Sequence, residues 1–581
     1  MRRHVAVCLA LLGCSPTALP SEDAGTPEDA AADAPPEDAA ADAAPEDAAM
    51  EDAGDTGSTD AGVVDPWACG PALGARRWPD GALEFRVHAP NATRIEVALF
   101  DVAIGERERL RVPMNDEEGR FDVRIDSATL ADAGLGEPLY YGLRAWGPNW
   151  TYDDAWEPGS ELGRIADVDD NGHRMNPNKV VLDPYALEVS HDPIGLAARD
   201  WNVFRTDEDN RLRDSAPNAP KGVVLDCTPS ASGPARPFRD EVIYEVHLRG
   251  LTRADSAVPE EERGTYAGAA RRAAWLRALG VTAIELLPLH ETPNDQNELS
   301  DDAAGDNYWG YSTLSFFAPD RRYAADQSPG GPTRELRAMV AAFHAEGIKV
   351  YVDVVYNHTA EGGGDVLLSW RGLDNTTFYV QSSDNRGYVV SNGVGPDVNT
   401  ADPVTADLVM ASLRYWHEVI GVDGYRFDLA SVMANGCSSG CYRYDSSFPT
   451  RIAELARPAE GGEGIDLIAE AWGTVGGTYQ VGNFPRGWAE WNDQYRDAVR
   501  RDLNRLGVHD APLRGLMRRI SGSPDLYEDD GRPPAASVNF VVAHDGLTLH
   551  DLFRYDGKNN GQRWPYGPSN GGTDNDLAWS H

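Results

Sequence analysis

The chain has 581 residues, of which 41% are hydrophobic and 25% are charged, and its formal net charge at pH 7 is −41. That length exceeds one ordinary domain, so about two or three domains are expected, and the apolar content suffices for large cores. Because binding to a phosphate backbone requires basic patches, the acidity argues against a nucleic-acid partner. No segment has about 18 continuous apolar residues, so no membrane-spanning helix is predicted in the mature protein.

The first residues have the pattern of an export signal. A basic start at 2–4 precedes an apolar run at 5–12, and Gly13 and Cys14 follow. This order is typical of a secretory signal with a small residue at the cleavage site. The tetrapeptide that ends at Cys14 also resembles a bacterial lipobox, in which the cysteine becomes the lipidated first residue; a plain signal peptide with an incidental cysteine is the alternative. We expect a lipoprotein signal peptide at 1–13, lipidation at Cys14, and an exported protein that is lipid-anchored to the bacterial cell envelope or secreted.

Residues 14–65 form a low-complexity tract rich in Ala, Asp, Glu and Pro, in which the unit Pro-Glu-Asp-Ala-Ala recurs. From Ser21 to Asp65 the tract has no Lys or Arg and almost no large apolar residue. Such a segment cannot bury enough surface to offset its chain entropy, so it is predicted to be disordered. Its charges repel one another and extend it, which suits an acidic linker between an anchor and a folded body.

Four cysteines lie beyond the leader: Cys69, Cys227, Cys437 and Cys441. An even number in an exported chain is consistent with two disulfide bonds, but four cysteines allow three pairings and the sequence does not choose among them. Cys69 and Cys227 bracket the first folded domain, whereas Cys437 and Cys441 lie in one Gly/Ser-rich loop. Their spacings do not match a zinc site, and no pair of histidines accompanies them.

Residues 66–226 read as short strands separated by Gly, Pro, Asn and Asp. The predicted strands include Leu83–Val87, Ile95–Leu99, Phe121–Ile125 and Tyr140–Trp146. Several short alternating strands with turn residues between them are typical of an antiparallel β-sandwich. We therefore predict an N-terminal β-sandwich over this range.

Residues 227–581 alternate between strand and helix patterns. The predicted strands are Val242–Val246, Val281–Leu287, Ile348–Val355, a strand within Val422–Ala430, Ile465–Ala469 and Val538–Val542. The predicted helices are Ala267–Leu279 followed by Gly280, a helix capped by Thr333 that ends at Gly347, and a helix capped by Thr405 that runs to Ile420. Repeated β-α units indicate an α/β fold, either a parallel barrel or a doubly wound sheet.

Polar side chains gather at the carboxyl ends of four of these strands. They are Asp353 and Asn357 on one, Arg426 and Asp428 on the next, Glu470 on a third and Asp545 on a fourth. Alternate side chains of a strand share a face, so Arg426 lies beside Asp428 and favours its ionised form; a structural ion pair is the alternative for this pair taken alone. Charged groups at several strand ends are what the active site of a TIM-type barrel requires, so a (β/α)8 TIM-type barrel is predicted.

Four segments, in this order, resemble the signature of the α-amylase superfamily of glycoside hydrolases: Asp353–His358, Gly424–Asp428, Ala469–Trp472 and Ala543–Asp545. Within the superfamily the chain is most similar to bacterial isoamylases, the family that debranches glycogen and amylopectin. That similarity begins near Ala82 and includes Tyr140–Gly142, Trp146–Trp150, Asn307–Tyr311 and Trp564–Pro568. It implies that the N-terminal sandwich resembles the starch-binding-like domain of debranching enzymes.

The resemblance implies a retaining hydrolase that cleaves α-1,6-glucosidic branch linkages through a glycosyl-enzyme intermediate. Asp428 would be the nucleophile, Glu470 the general acid/base, and Asp545 the third carboxylate, which holds sugar hydroxyls and stabilises the transition state. Such chemistry needs one ionised carboxylate and a second, protonated one about 5–5.5 Å away. The pKa of Glu470 must therefore be raised by burial and by neighbouring carboxylates.

Other substrate-binding residues follow from the same resemblance. His358 and His544 would bind glucose hydroxyls, although histidines satisfied within the core are the alternative reading. Tyr311 would stack beneath the sugar ring. Asp353 would position Arg426, and Asn357 belongs to the same substrate-binding set.

The resemblance also implies a structural Ca²⁺ site. The matching oxygen donors are Asp192, Glu291, Thr292, Asn294 and Asp320. Hard oxygen ligands of this kind suit calcium. A polar loop without an ion is the alternative.

The sequence stops at His581, where the resemblance places the loop after the seventh strand. We therefore expect a C-terminally incomplete barrel, either as a fragment or as an open sheet. The expected partner is a branched α-glucan polysaccharide, with membrane contact only through the lipid anchor and a monomeric state. The alternatives are an α-1,4-acting hydrolase or transferase of the same superfamily and a non-catalytic surface glucan-binding protein.

Overall fold

A computed structural model describes most of the chain after the acidic tract. The described residues are 65–193, 201–293, 307–434, 442, 446–457, 464–504, 513–558 and 577–580. The leader with Cys14, the linker up to residue 64, Asn294, Cys437, Cys441 and Trp564–Pro568 lie outside them. Within these ranges no helix is both long and apolar enough to cross a lipid bilayer.

The N-terminal part contains two four-stranded antiparallel sheets. Its strands are β1 Gly74–Arg77, β2 Leu83–His88, β3 Arg94–Phe100, β4 Leu110–Pro113, β5 Asn115–Glu117, β6 Arg120–Ile125, β7 Tyr140–Trp146 and β8 Gly222–Val223. The first sheet has the order β1-β2-β6-β5 and the second has the order β4-β3-β7-β8. A short helix, α1 Ser127–Asp132, connects β6 to β7. All four strands predicted in this region are confirmed.

The two sheets contribute side chains to one apolar core. Along β2, Leu83, Phe85 and Val87 are buried and alternate with half-buried polar residues, as the two-residue period of a strand requires. The ring of Phe85 lies 5.1 Å from that of Tyr141, on β7 of the other sheet. Apolar residues of both sheets therefore exclude water from the same interior.

A disulfide bond joins Cys69 to Cys227, with Cα atoms 5.8 Å apart. The bond links the two ends of the N-terminal part across 158 residues of sequence. Of the three pairings that the sequence leaves open, only the one that contains this bond remains.

Seven parallel strands form the second major layer. They are β9 Ile243–Val246, β10 Ala283–Leu286, β11 Lys349–Val354, β12 Gly424–Phe427, β13 Asp466–Ala469, β14 Ala489–Trp491 and β15 Ser537–Val538. Each strand pairs with the next one along the chain, whereas a doubly wound sheet reverses its strand order. The sheet also curls, which brings its two edge strands, β9 and β15, towards each other. The backbone N–H of His544, in the segment after β15, donates to Glu245 on β9. This arrangement fits a TIM-type barrel.

Helices and shorter turns connect these strands. The helices are α2 Leu248–Thr252, α3 Tyr266–Ala270, α4 Ala273–Leu279, α5 Gly331–Ala345, α6 Trp370–Phe378, α7 Pro403–Tyr415, α8 Phe448–Leu455, α9 Asp493–Asn504, α10 Leu513–Ile520, α11 Pro524–Tyr527 and α12 Leu549–Leu552. A π-helical turn, Trp416–Ile420, extends α7 to the predicted end.

The single helix predicted at Ala267–Leu279 is wrong in one respect, because the structure divides it into α3 and α4. Arg272 leaves helical geometry, with φ −95° and ψ −4°, and its N–H bonds the carbonyl oxygen of Ala269, three residues back. The predicted end is confirmed: Gly280 follows α4 with φ 97°, a left-handed conformation that glycine adopts readily.

Both predicted threonine caps are wrong. Helix α5 begins at Gly331, and the Thr333 hydroxyl donates to Glu188 Oε2 at 2.9 Å. Asp402 caps α7 by accepting the N–H of Val404 at 2.8 Å. The pair of Asp402 and the following proline supplies an N-cap and a first helical residue, so Thr405 lies inside the helix.

The last two strands also differ from the sequence prediction. Strand β15 ends at Val538, so most of the predicted Val538–Val542 strand is irregular. Strand β14 was not predicted, because it has three residues and a glutamate at its centre. That glutamate, Glu490, is fully buried and forms an ion pair with Arg532.

Candidate active site

Adjacent parallel strands bring the predicted catalytic residues together. In the β11–β12 ladder, Asp353 lies opposite Arg426. In the β12–β13 ladder, Phe427 lies opposite Ala469, so Asp428 and Glu470 each follow a paired residue. Parallel strands end at the same edge of the sheet. The register therefore places both carboxylates at the carboxyl end of the sheet.

The guanidinium of Arg426 contacts three carboxylates. Its Nη1 donates to Asp353 Oδ2 at 2.9 Å and to Asp428 Oδ1 at 3.3 Å. Its Nη2 lies 3.0 Å from Glu470 Oε2. The indole ring of Trp491 lies 4.2 Å from the guanidinium carbon and supports it. One buried cation thus faces three carboxylates. With all three ionised the cluster would carry a net negative charge, which favours proton binding by one of the carboxylates.

Glu470 is well suited to bind that proton. Burial raises the pKa of Glu470 to about 7; the Arg426 charge opposes this rise and the Asp428 charge adds to it. The backbone N–H of Leu429 donates to Glu470 Oε2 at 2.7 Å and fixes the carboxyl group. Glu470 can therefore carry a proton near neutral pH while a second carboxyl lies beside it.

Asp428 is held by donors on two neighbouring elements. The side-chain amide of Asn357 donates to Asp428 Oδ2 at 2.8 Å and to its backbone carbonyl oxygen at 2.9 Å. Arg426 supplies the other contact. The side chain is 12% exposed, so a ligand can reach it while its orientation stays fixed.

His358 lies in the same cluster, but both of its ring nitrogens already contact other groups of the protein. Its Nδ1 lies 2.6 Å from Asn357 Oδ1, and its Nε2 lies 3.1 Å from the carbonyl oxygen of Tyr311. Burial lowers the pKa of His358, and the Asp428 charge opposes that effect. These contacts fix the amide of Asn357 against Asp428.

Tyr311 and His544 form a stacked pair beside Asp353. Their ring centroids are 5.2 Å apart with an interplanar angle of 26°, and the Tyr311 hydroxyl donates to Asp353 Oδ2 at 2.5 Å. Burial raises the pKa of Asp353 to about 6; Arg426 opposes this and Asp428 adds to it. Tyr311 therefore connects the floor of the site to the ring of His544.

Asp545 follows His544 and is exposed. Within the part of the chain that the structure describes, no hydrogen bond joins Asp545 to Asp428 or Glu470. Burial lowers the pKa of Arg496 on α9, but the hydrogen bond and charge of Asp497, with smaller contributions from Asp493 and Asp545, outweigh it and raise the pKa. The third carboxylate thus stands at the rim of the site, whereas the other two are held inside it.

Two acidic residues under the site were missed by the sequence analysis. Glu245 on β9 lies opposite Glu285 on β10. The ring Nδ1 of His544 lies 2.7 Å from Glu245 Oε1, and although burial lowers the pKa of His544, Glu245 outweighs it and raises the pKa. Burial raises the pKa of Glu285 well above its usual value, with Glu245 and Asp353 adding to the effect. In the sequence, each of these residues is marked only as a single glutamate within an otherwise apolar strand.

The proposed calcium donors come together in part. Thr292 Oγ1 donates to Asp320 Oδ2 at 2.8 Å. Arg321 bridges two others, with Nη2 2.8 Å from Glu291 Oε1 and 3.2 Å from Asp192 Oδ1. Burial raises the pKa of Glu291 to about 8; the Arg321 charge opposes the rise and the other two carboxylates add to it.

The donor chemistry of this group fits a hard cation. Its three carboxylates carry more negative charge than the single positive charge that Arg321 supplies. Among the described residues, however, no set of three or more His, Cys, Asp or Glu side chains meets in a metal-binding arrangement. The fifth proposed donor, Asn294, lies outside the described ranges.

Comparisons with known proteins agree with this geometry. Residues 230–366 match the catalytic domain of alpha-amylase. An isoamylase of Flavobacterium sp is 52% identical over 519 residues, which cover 86% of this chain and 67% of that protein. An isoamylase of Pseudomonas sp. (strain SMP1) is 45% identical over 527 residues, with 86% and 68% covered. A glycogen debranching enzyme of Klebsiella pneumoniae is 36% identical over 484 residues, with 82% and 67% covered.

Solved structures show the same fold at lower identity. Pullulanase from Anoxybacillus sp. LM18-11, complexed with maltotetraose, has a TM-score of 0.59 and 23% identity, and the match covers 82% of this chain and 62% of that one. Pullulanase from Paenibacillus barengoltzii, complexed with maltohexaose and alpha-cyclodextrin, has a TM-score of 0.59 and 22% identity, with 82% and 68% covered. The sequence identity to the isoamylases, together with the match to the alpha-amylase catalytic domain, shows that the chain belongs to the isoamylase family of debranching enzymes, within the α-amylase superfamily of glycoside hydrolases.

Proposed function

We propose that this protein is a retaining glycoside hydrolase that cleaves α-1,6-glucosidic branch linkages in glycogen- and amylopectin-type glucans. The observation that carries the chemistry is the contact of Asp428 and Glu470 with one guanidinium, at the ends of adjacent strands. The isoamylase and debranching relatives support the branch linkage as the target.

The two carboxyl groups divide the reaction between them. Asp428 attacks the anomeric carbon and forms a glycosyl ester, while Glu470 gives its proton to the glycosidic oxygen of the departing chain. Glu470, now ionised, then takes a proton from water, and the resulting hydroxide attacks the anomeric carbon and releases Asp428. The raised pKa of Glu470 supports its role as the acid.

We assign supporting roles to the neighbouring residues. Asp545 and His544 would bind hydroxyls of the glucose at the cleavage point, with the His544 ring oriented by Glu245. Tyr311 would pack against that sugar. Asn357, which His358 orients, would hold Asp428 in its attacking position.

Catalysis by these residues is tested with amylopectin and glycogen. The wild-type chain is expected to release linear chains, so iodine staining shifts to longer wavelength while the backbone length is kept. Glu470→Gln should lower kcat by about 10²–10⁴-fold, and Asp428→Asn by at least as much.

Other products would contradict the proposed linkage. Short oligosaccharides with loss of iodine staining would instead indicate an α-1,4-acting enzyme. Glucan binding with no release of chains by the wild type would indicate a surface binding protein.

The domain organisation is part of the proposal. We propose a β-sandwich at 66–226, made of the two antiparallel sheets, and a TIM-type catalytic barrel at 227–581. The shared apolar core of the two sheets supports the sandwich. Limited proteolysis tests this boundary: a stable fragment ending near residue 226 is expected on a reducing gel, because the Cys69–Cys227 bond would otherwise hold the two parts together.

A structural calcium ion is also proposed. Asp192, Glu291, Thr292 and Asp320, together with Asn294, would hold it, and the ion would neutralise carboxylates that otherwise repel one another. The full burial of two of the carboxylates, Glu291 and Asp320, supports a need for positive charge there. A chelator is expected to lower the melting temperature, and added Ca²⁺ should restore it. An unchanged melting temperature and no bound calcium by elemental analysis would exclude the ion.

Export and lipidation at Cys14 remain proposals from the leader sequence. We propose that the protein acts as a monomer tethered to the cell envelope. Expression in a bacterial host with labelled palmitate tests this: wild type should be labelled and fractionate with membranes, and Cys14→Ala should not be labelled. A secreted, unlabelled wild type would indicate a plain signal peptide.

A further inference from the structure

We propose that Tyr479 is a stacking platform for a glucosyl unit of the departing chain, on the Glu470 side of the site. This role rests on the proposed function and adds a substrate-binding residue to it. It would let the enzyme recognise the chain that carries the branch as well as the branch itself.

Tyr479 combines an exposed ring with a fixed hydroxyl. The residue is 49% exposed, yet its hydroxyl donates to Asp493 Oδ1 at 2.8 Å. The side-chain amide of Gln494 donates to the same hydroxyl at 3.4 Å. An aromatic ring that is anchored at its polar end keeps one orientation in water, so less rotational freedom is lost when a sugar stacks on it.

The loop that carries Tyr479 begins directly after Glu470. The N–H of Gln480 donates to the carbonyl oxygen of Ala471 at 2.6 Å, which closes the loop on the residue that follows the proposed acid. Inside the loop, Thr478 Oγ1 donates to the carbonyl oxygen of Val475 at 2.5 Å. These bonds hold Tyr479 close to the end of β13.

The partner of its hydroxyl places Tyr479 at the rim of the same site. Asp493 opens α9, two residues after Trp491, whose ring supports Arg426. The Asp493 charge acts on Arg496, and so does that of Asp545. Tyr479 therefore bridges the ends of β13 and β14, in the charged surroundings of the third carboxylate.

The side of the site determines which sugar would stack there. Glu470 gives its proton to the oxygen of the leaving group, so sugars on its side belong to the departing chain. Another exposed aromatic, Trp309, is 39% exposed and lies 5.0 Å from the ring of His544, the residue proposed above to bind the glucose at the cleavage point. A pyranose ring has apolar faces, and an aromatic ring supplies the large, rigid apolar surface that they match.

The test compares a large leaving group with a small one. For Tyr479→Ala, kcat/KM on amylopectin should fall by about tenfold, while hydrolysis of a maltosyl fluoride changes by less than about twofold, because fluoride makes no contact with this side. Tyr479→Phe keeps the ring and should retain most of the activity on amylopectin. The matched control is Trp275→Ala, an aromatic residue of similar exposure, 50%, on α4, which should leave both rates unchanged.

Two results would overturn this role: an unchanged rate of Tyr479→Ala on amylopectin, or equal losses on both substrates, which would indicate a structural effect. Failure of the proposed function looks different, because the wild type itself would then release no chains. In that case the affinity of wild type and Tyr479→Ala for maltohexaose is compared by calorimetry. A roughly tenfold weaker affinity supports the platform and an equal affinity overturns it.

Discussion

Asp428 and Glu470 contact different nitrogens of the Arg426 guanidinium, at 3.3 Å and 3.0 Å, although they follow two different strands, β12 and β13. The same guanidinium also binds Asp353. Arg426 thus sets the spacing of the proposed nucleophile and the proposed proton donor, and it limits the repulsion between the two carboxylates.

Replacing Arg426 should therefore strongly destabilise the fold. Arg426→Met leaves three carboxyl groups without their cation, and breaking such a buried arrangement costs about 3–5 kcal/mol. The matched control is Arg451→Met, which removes an exposed ion pair with Asp407 and should cost about 0–1 kcal/mol. Urea unfolding measures both variants. Similar losses of unfolding free energy in the two would mean that Arg426 is not the main electrostatic support of the site.

The pH profile should show the proton on Glu470. The acid must be protonated to assist departure, and its pKa is about 7, so kcat/KM on amylopectin should fall as pH rises through about 7. Fluoride leaves without a proton, so this basic limb should be absent with a maltosyl fluoride. A basic limb of the same position with both substrates would assign the titration to another group.

Glu285 should make the folded state less stable as pH rises. Its folded pKa is well above the usual value, so between pH 4.5 and that pKa the folded state binds one more proton than the unfolded state. Stability is then fully present below the unfolded pKa and is lost with rising pH, by about 1.4 kcal/mol per pH unit. Glu285→Gln should remove this slope, as measured by unfolding from pH 5 to 9. Parallel slopes for wild type and variant would contradict a protonated Glu285.

Loss of the Cys69–Cys227 bond should lower stability while the site stays intact. The bond closes a loop of 158 residues, for which chain entropy predicts about 5 kcal/mol of stabilisation. The double variant Cys69→Ser/Cys227→Ser should melt at a lower temperature and keep kcat/KM on amylopectin at low temperature. A proportionate loss of kcat/KM would show that the bond also shapes the site.

The sequence predicts most of the strands and the cluster at their ends, because both depend on local patterns. Alternation of apolar residues marks β2 and β6, and the neighbouring polar residues mark the ends of β11, β12 and β13. The sequence places Arg426 beside Asp428, whereas its contact with Glu470 is seen only in the structure, where adjacent parallel strands end together.

Other features depend on contacts across the fold and leave no local pattern. At the start of α5, Glu188 accepts hydrogen bonds in place of the expected Thr333 cap. It lies more than 140 residues away in the sequence, so no local pattern indicates it. A buried ion pair hides β14, because Glu490 interrupts an apolar strand. Glu245 reads as one polar residue in a strand until His544 is placed beside it.

The link between Glu245 and His544 spans 299 residues, which bears on how the protein is made. At about 5–20 residues per second, a ribosome needs about 15–60 s to synthesise that interval. During this time Glu245 on β9 has emerged without His544, which it later contacts. A nascent chain therefore carries Asp428 and Glu470 before His544 emerges, so the contact that orients the His544 ring can form only after both carboxylates have been synthesised.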